Sequence, residues 1–347
     1  MLSDRSRTLL KRFLAVFLLL AVVLLAWILR QKGGGDRSVV VYTSVDQVFS
    51  APVFRRFEEE TRIRVRAVFD TEETKSTGVL NRLVAEAAEP QADVFWSGDS
   101  VRPFVLVERG LVEPYLSPEA EQVPVGFRAA DGTWTGTAAR ARVILVNRQR
   151  IGERPLPRSV RDLSDPRWKG EAAIANPLFG TTTMHVAAWA SAWGEDETKR
   201  FLEALKFNEV RIASSNGEVK RLVISGEVTI GLTDTDDAFV ALQSGAPVEV
   251  VYPDQDGFGT LIMPTAVVRM RGGPNSEAAR RLIDFLLSAK AESMLAASGA
   301  HMPLRRDIER PGHVRGVGEI RAMEVDFAEI ARQMERMQPW LRRWAGM

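Results

Sequence analysis

The chain has 347 residues, 45% of them hydrophobic and 26% charged, with 46 basic side chains set against 45 acidic ones. That length accommodates two domains after any targeting segment, and a net charge of +1 gives no global field for holding a polyanion such as a nucleic acid. Cysteine is absent, which excludes disulfides, thiolate metal sites, cysteine catalysis and a lipid-modified cysteine anchor.

Residues 13–29 are uniformly apolar and follow Arg5, Arg7, Lys11 and Arg12. A helix over this run reaches roughly 25 Å, near the lower limit for crossing a bilayer. The basic flank predicts a cytoplasmic N-terminus and an exported remainder. Arg30, Gln31 and Lys32 stand where a cleavage site would need small residues. An uncleaved signal anchor is therefore expected, with residues 30–37 and their Gly33-Gly34-Gly35 run as a flexible tether; a cleaved signal peptide is the alternative.

From Ser38 the pattern alternates between strands and helices. Residues 39–44 read as a buried strand and 51–61 as a helix with Val53, Phe54 and Phe57 on one face. Strands over 63–69 and 92–97 and helices over 77–88 and 101–109 complete a βαβαβ order. This order predicts a parallel sheet with ligand loops at the strand carboxyl ends. Those ends carry Ser44 and Asp46, residues 70–74, and Ser97 with Asp99. A strand over 141–147 enters a second unit with helices at 198–205 and 217–225 and strands at 228–233, 248–252 and 261–270. Amphipathic helices follow over 276–287 and 290–297. A final helix over 320–344 places Met323, Phe327, Ile330, Met334, Met337 and Leu341 at helical spacing, a stripe suited to core packing.

Within the second unit, the apolar run 172–175 leads through Asn176-Pro177-Leu178-Phe179 into Gly180-Thr181-Thr182-Thr183. Strand, loop and helix in succession put the threonines at a helix N-terminus, where unpaired N–H groups and the positive end of the dipole hold an anion. The alternative is that a threonine only caps its own helix. His185, His301 and His313 lack metal-site spacing and read as structural.

Several stretches recur together in one family: Ala92-Asp93-Val94-Phe95-Trp96, Trp168-Lys169-Gly170, Gly226-Glu227-Val228 before a buried strand, residues 274–279 running into 285–288, and Pro303-Leu304-Arg305. On their order and spacing, residues 38–305 resemble the solute-binding proteins of ABC importers, specifically the ferric-ion-binding subgroup of type II periplasmic binding proteins. The resemblance implies an α/β fold of two lobes, each with a central sheet, closing by a hinge on a ligand after the N-terminal transmembrane helix. Lobe one would comprise 38–139 plus 264–305, and lobe two 140–263 plus 306–347, behind an anchor and tether over 1–37. The implied function is capture of a small ligand for an inner-membrane ABC permease by a monomer at the periplasmic face. No catalysis and no cofactor are expected beyond a metal carried as ligand. A membrane-anchored sensor, or an enzyme using paired aspartates, are the competing classes.

The resemblance also carries site residues. The family's iron-binding histidine falls on Asp46, its glutamate on Gly98 beside Asp99, and its tyrosine pair on Asp236-Asp237. Its anion-site arginine is matched by Arg140 and its anion loop by Gly180, Thr181, Thr182 and Thr183. The anion half matches and the iron half departs. The expected ligand site is thus Ser44, Asp46, Ser97, Asp99, Arg140, residues 180–183, Asp234, Asp236 and Asp237. Asp46, Asp99, Asp236 and Asp237 would serve a hard metal through oxygen or an ammonium group. Carboxylates beside an anion cradle suit a zwitterion such as an aminoalkyl phosphonate, or an organic phosphate. For Asp234 to Asp237 the alternative is capping of the helix that follows.

Overall fold

The computed structural model describes residues 38–70, 77–298, 301–312 and 314–346. The expected anchor over 13–29, residues 71–74 and His313 lie outside the described residues. Among the described residues no helix is long and apolar enough to cross a membrane.

β1 (Ser38–Thr43) reads Ser-Val-Val-Val-Tyr-Thr and is buried along nearly its whole length, as a strand covered on both faces must be. α1 (Gln47–Thr61) turns Val53, Phe54 and Phe57 inward. It ends at Arg62, whose φ of 61° closes the last turn. β2 (Arg64–Phe69), α2 (Thr77–Ala85), β3 (Val94–Ser97) and α3 (Val101–Glu108) follow. β1 and β3 pair in parallel, Val41 opposite Val94.

The second stretch comprises β4 (Thr135–Asn147), β5 (Ala172–Ala175), α4 (Gly180–Trp193), α5 (Glu195–Phe207), β6 (Arg211–Ala213) and α6 (Asn216–Ile224). β7 (Ile230–Asp234), α7 (Thr235–Gln243), β8 (Val248–Val251), β9 (Ile262–Arg269), α8 (Ser276–Leu286), α9 (Ala289–Ala297) and α10 (Phe327–Trp344) complete the order. The strands form one nine-stranded sheet, ordered β2-β1-β3-β9-β4-β7-β5-β6, with β8 also on β4.

β4 joins the two halves of this sheet. Its first part pairs antiparallel with β9, with a register shift between Gly136 and Ala138. Its second part pairs antiparallel with β7 and β8. The sheet is therefore mixed, not parallel throughout as the βαβαβ order suggested. The chain returns from the second half as β9 and inserts antiparallel to β3, a long-range pairing that local periodicity does not reveal.

α10 starts at Phe327, later than its hydrophobic stripe predicts, because the Asp326 side chain accepts the Ala328 N–H and caps it there. Its buried face meets α4 and α3. Where α6 crosses β7, Gly231 is required by close approach. A Cβ there would sit 2.5 Å from Val219 Cγ1 and 2.9 Å from Val223 Cγ2. Gly231→Ala is expected to overpack this contact and lower stability by about 1–3 kcal/mol, read from the urea midpoint; an unchanged midpoint would mean that α6 yields freely.

Candidate ligand-binding site

The carboxyl ends of β1, β3, β5, β6 and β7 converge on a cavity of about 500 Å³. Ten of the residues expected from sequence line it: Ser44, Asp46, Asp99, Arg140, Gly180, Thr181, Thr182, Asp234, Asp236 and Asp237. Ser97 and Thr183 do not. The Ser97 hydroxyl accepts the Asp99 N–H at 3.3 Å, and the Thr183 hydroxyl is buried with no hydrogen-bond partner among the described residues.

On one wall stands the N-terminus of α4. Its N-cap residue is Phe179, whose apolar side chain makes no cap hydrogen bond. Gly180 enters the first turn with φ 59°, a left-handed conformation that favours glycine. The alternative, a threonine that only caps its own helix, is not what the structure shows: the hydroxyls of Thr181 and Thr182 accept from Arg142. Arg142 is fully buried and sits two residues beyond Arg140 in β4, on the same face by the strand period. Its guanidinium donates to Asp234 at 2.6 Å, Thr181 and Asn216 at 3.1 Å, Thr182 at 3.3 Å and His185 Nδ1 at 3.3 Å. Burial, reinforced by Arg142, holds the His185 imidazole well below its usual range, so it is a neutral acceptor.

Asp234 stands at the N-cap of α7 but makes no side-chain cap, which corrects the capping alternative for it. Instead it accepts from Arg142 and, at 2.8 Å, from Thr181. Arg140 donates to Asp236 at 2.9 Å, to Asp234 at 3.4 Å and to the Gly98 carbonyl at 2.7 Å. These contacts tie the middle of β4 to the β3 and β7 loops.

The acidic residues named for a metal have other occupations. Asp99 accepts the N–H groups of Val101 and Arg102 and pairs with the Arg102 guanidinium at 3.0 Å. Asp236 is drawn to Arg140, and Asp237 pairs with Lys220 at 2.8 Å. Among the described residues no three His, Cys, Asp or Glu side chains gather as a metal-binding group, so the set Asp46, Asp99, Asp236 and Asp237 is not assembled as one. No tyrosine lines the cavity. Tyr42 and Tyr115 donate to Glu86 and Asp284 elsewhere.

Burial, reinforced by the Asp236 carboxylate and opposed by Lys220, pushes the Asp237 carboxyl up from 3.8 to about 6. The folded state then binds more protons than the unfolded chain between about pH 4 and pH 6, so this group lowers stability as pH rises through that window. Asp237→Asn is expected to flatten that slope, with the urea midpoint of the variant gaining on the parent from pH 4 to pH 6. A parallel pair of profiles would contradict it.

Sequence reasoning missed the wall that follows β6, Ser214-Ser215-Asn216-Gly217 with Lys220. The Ser215 hydroxyl accepts the Glu218 N–H and caps α6, while Asn216 donates to Thr181 and Asp234. The signal was a run of small polar residues before a helix, but β6 is only three residues long and gives no strand pattern. Arg142 was also missed, although its spacing from Arg140 was readable.

A sheet in two halves joined by β4 carries a polar cavity at its strand ends, the place where folds of this kind hold a small solute. The model of the bacterial extracellular solute-binding protein family matches residues 89–317, and the chain belongs to that family. Iron uptake protein A1 of Synechocystis sp. is 28% identical over 299 residues, 83% of this chain and 82% of that protein. The fold matches apo ferric ion-binding protein A of Pasteurella haemolytica with a TM-score of 0.80 at 24% identity, over 89% of this chain and 98% of that one. It also matches the periplasmic binding protein AfuA of Actinobacillus pleuropneumoniae with fructose-6-phosphate bound, with a TM-score of 0.77 at 24% identity, over 89% and 99%. Membership in a family of solute-binding proteins bears out a binding protein rather than an enzyme.

Proposed function

We propose that this chain is the periplasmic substrate-binding subunit of an ABC importer and that it captures a small organic phosphonate or phosphate. The observation that carries this reading is the N-terminus of α4 facing the same cavity as Arg140. Backbone N–H groups, helix dipole and guanidinium converge there as an anion requires. Arg140, Arg142 and Lys220 counter Asp234, Asp236 and Asp237. An incoming anion therefore meets carboxylates already engaged by cations. Asp46 and Asp236 line the same cavity and suit an ammonium group, which extends the reading to zwitterions.

In this proposal the lobes are 38–139 plus 264–305 and 140–263 plus 306–347, and ligand binding closes a hinge where β4 and β9 cross between them. Residues 1–37 tether a monomer to the inner membrane, where it delivers ligand to a permease; the same tether would serve a sensor. The second reading, iron, is supported by the name of Iron uptake protein A1. Native mass spectrometry of the full-length chain, purified without refolding, with elemental analysis separates the two. A phosphorus-containing organic mass without metal is expected. Iron at one per chain would establish the second reading with carboxylates in place of phenolates.

A further inference from the structure

Beside the ligand cavity a smaller chamber is bounded by Ser44, Asp46, Phe49, Arg140, Asp236 and His301 and leaves about 10 Å³, room for one water-sized group. His301 is only 3% exposed, and its ring meets Phe49 edge-on with centroids 5.6 Å apart. Two buried polar atoms of this wall have no hydrogen-bond partner among the described residues: Nε of Arg140 and Nδ1 of His301. The remaining nitrogens of Arg140 are engaged, Nη1 by Asp234 and Asp236 and Nη2 by the Gly98 carbonyl. Burial, reinforced by Arg140, pushes the His301 imidazole down to about 4, so it is neutral at pH 7, with one ring nitrogen a donor and the other an acceptor.

The chemistry of the wall selects its occupant. An ammonium group offers no lone pair to Arg140 Nε–H and meets a guanidinium. An anionic oxygen meets the carboxylates of Asp46 and Asp236. A hydroxyl, whether of a single water or of a ligand, can accept from Arg140 Nε–H and donate to an unprotonated Nδ1 of His301, which neither an ammonium group nor an anionic oxygen can do. Building on the anion reading above, we propose that this chamber is a hydroxyl subsite. The captured phosphonate or phosphate then carries a hydroxyl group close to its anion, and His301 is the residue that reads it.

Titration calorimetry of the full-length chain with 2-hydroxyethylphosphonate and with ethylphosphonate tests this. The hydroxylated compound is expected to bind about tenfold or more tightly, since a site built to bond a hydroxyl rejects the analogue lacking it. That advantage is expected to vanish in His301→Leu and to persist in His301→Asn, whose amide oxygen keeps an acceptor. Equal binding of both compounds by the parent protein would overturn the hydroxyl subsite and leave the anion reading standing. Binding of neither would overturn both. An undiminished advantage in His301→Leu would remove His301 from the subsite.

Discussion

Replacing Arg142 with methionine is expected to be the most destabilising single change in the site, by about 3 kcal/mol or more. The side chain is fully buried, and its removal strands the Asp234 carboxylate at 1% exposure. Breaking one side of a buried ion pair costs about 3–5 kcal/mol, because the remaining charge has no water to return to. Arg140 Nη1, 3.4 Å from Asp234, offsets part of this and places the loss at the lower end. Urea unfolding at pH 7 reads it as a lower midpoint with an unchanged slope. Adding Asp234→Asn removes the stranded charge and is expected to restore part of the loss. A midpoint unmoved by Arg142→Met would mean that the network beneath α4 does not support the fold.

Arg140→Ala is expected to weaken 2-hydroxyethylphosphonate binding about 10- to 100-fold with a smaller effect on stability. A hydrogen bond to a charged group contributes about 1.5–3 kcal/mol, and each 1.4 kcal/mol is about a factor of ten in affinity. The substitution also frees the Asp236 carboxylate, 2.9 Å from the guanidinium, to repel the anion. Arg140→Lys keeps the charge but loses the fork that spans Asp236 and Gly98, so an intermediate affinity is expected. The difference is read by titration calorimetry. Equal affinity in Arg140→Ala would exclude this arginine from the site.

Much of this arrangement was legible in the chain. Strand ends are marked by a change from apolar runs to small polar residues. That marking points to Ser44, Asp46, Gly180 and Thr181, which line one cavity. The resemblance supplied the correspondence of Arg140 and the threonine loop. What escaped was whatever depends on pairing across long sequence distances. β9 lies antiparallel to both β3 and β4, and no local pattern distinguishes that from a parallel neighbour. Asp99 has the residue type of a ligand, yet its oxygens are taken by Arg102 and the first turn of α3. Arg142 lay inside an apolar stretch that read as plain strand; its role is set by Asp234, Asn216 and Thr182 arriving from three other segments. Side-chain identity narrows what a site can do, and partners brought in by topology decide which of those uses is left.

The most direct test of the central claim is a crystal structure of the protein with its co-purified ligand. The account predicts an oxyanion of phosphorus within hydrogen-bond distance of the first-turn N–H groups of α4 and of the Arg140 guanidinium. A metal ion held by Asp46, Asp236 and Asp237, with no anion at α4, would contradict it.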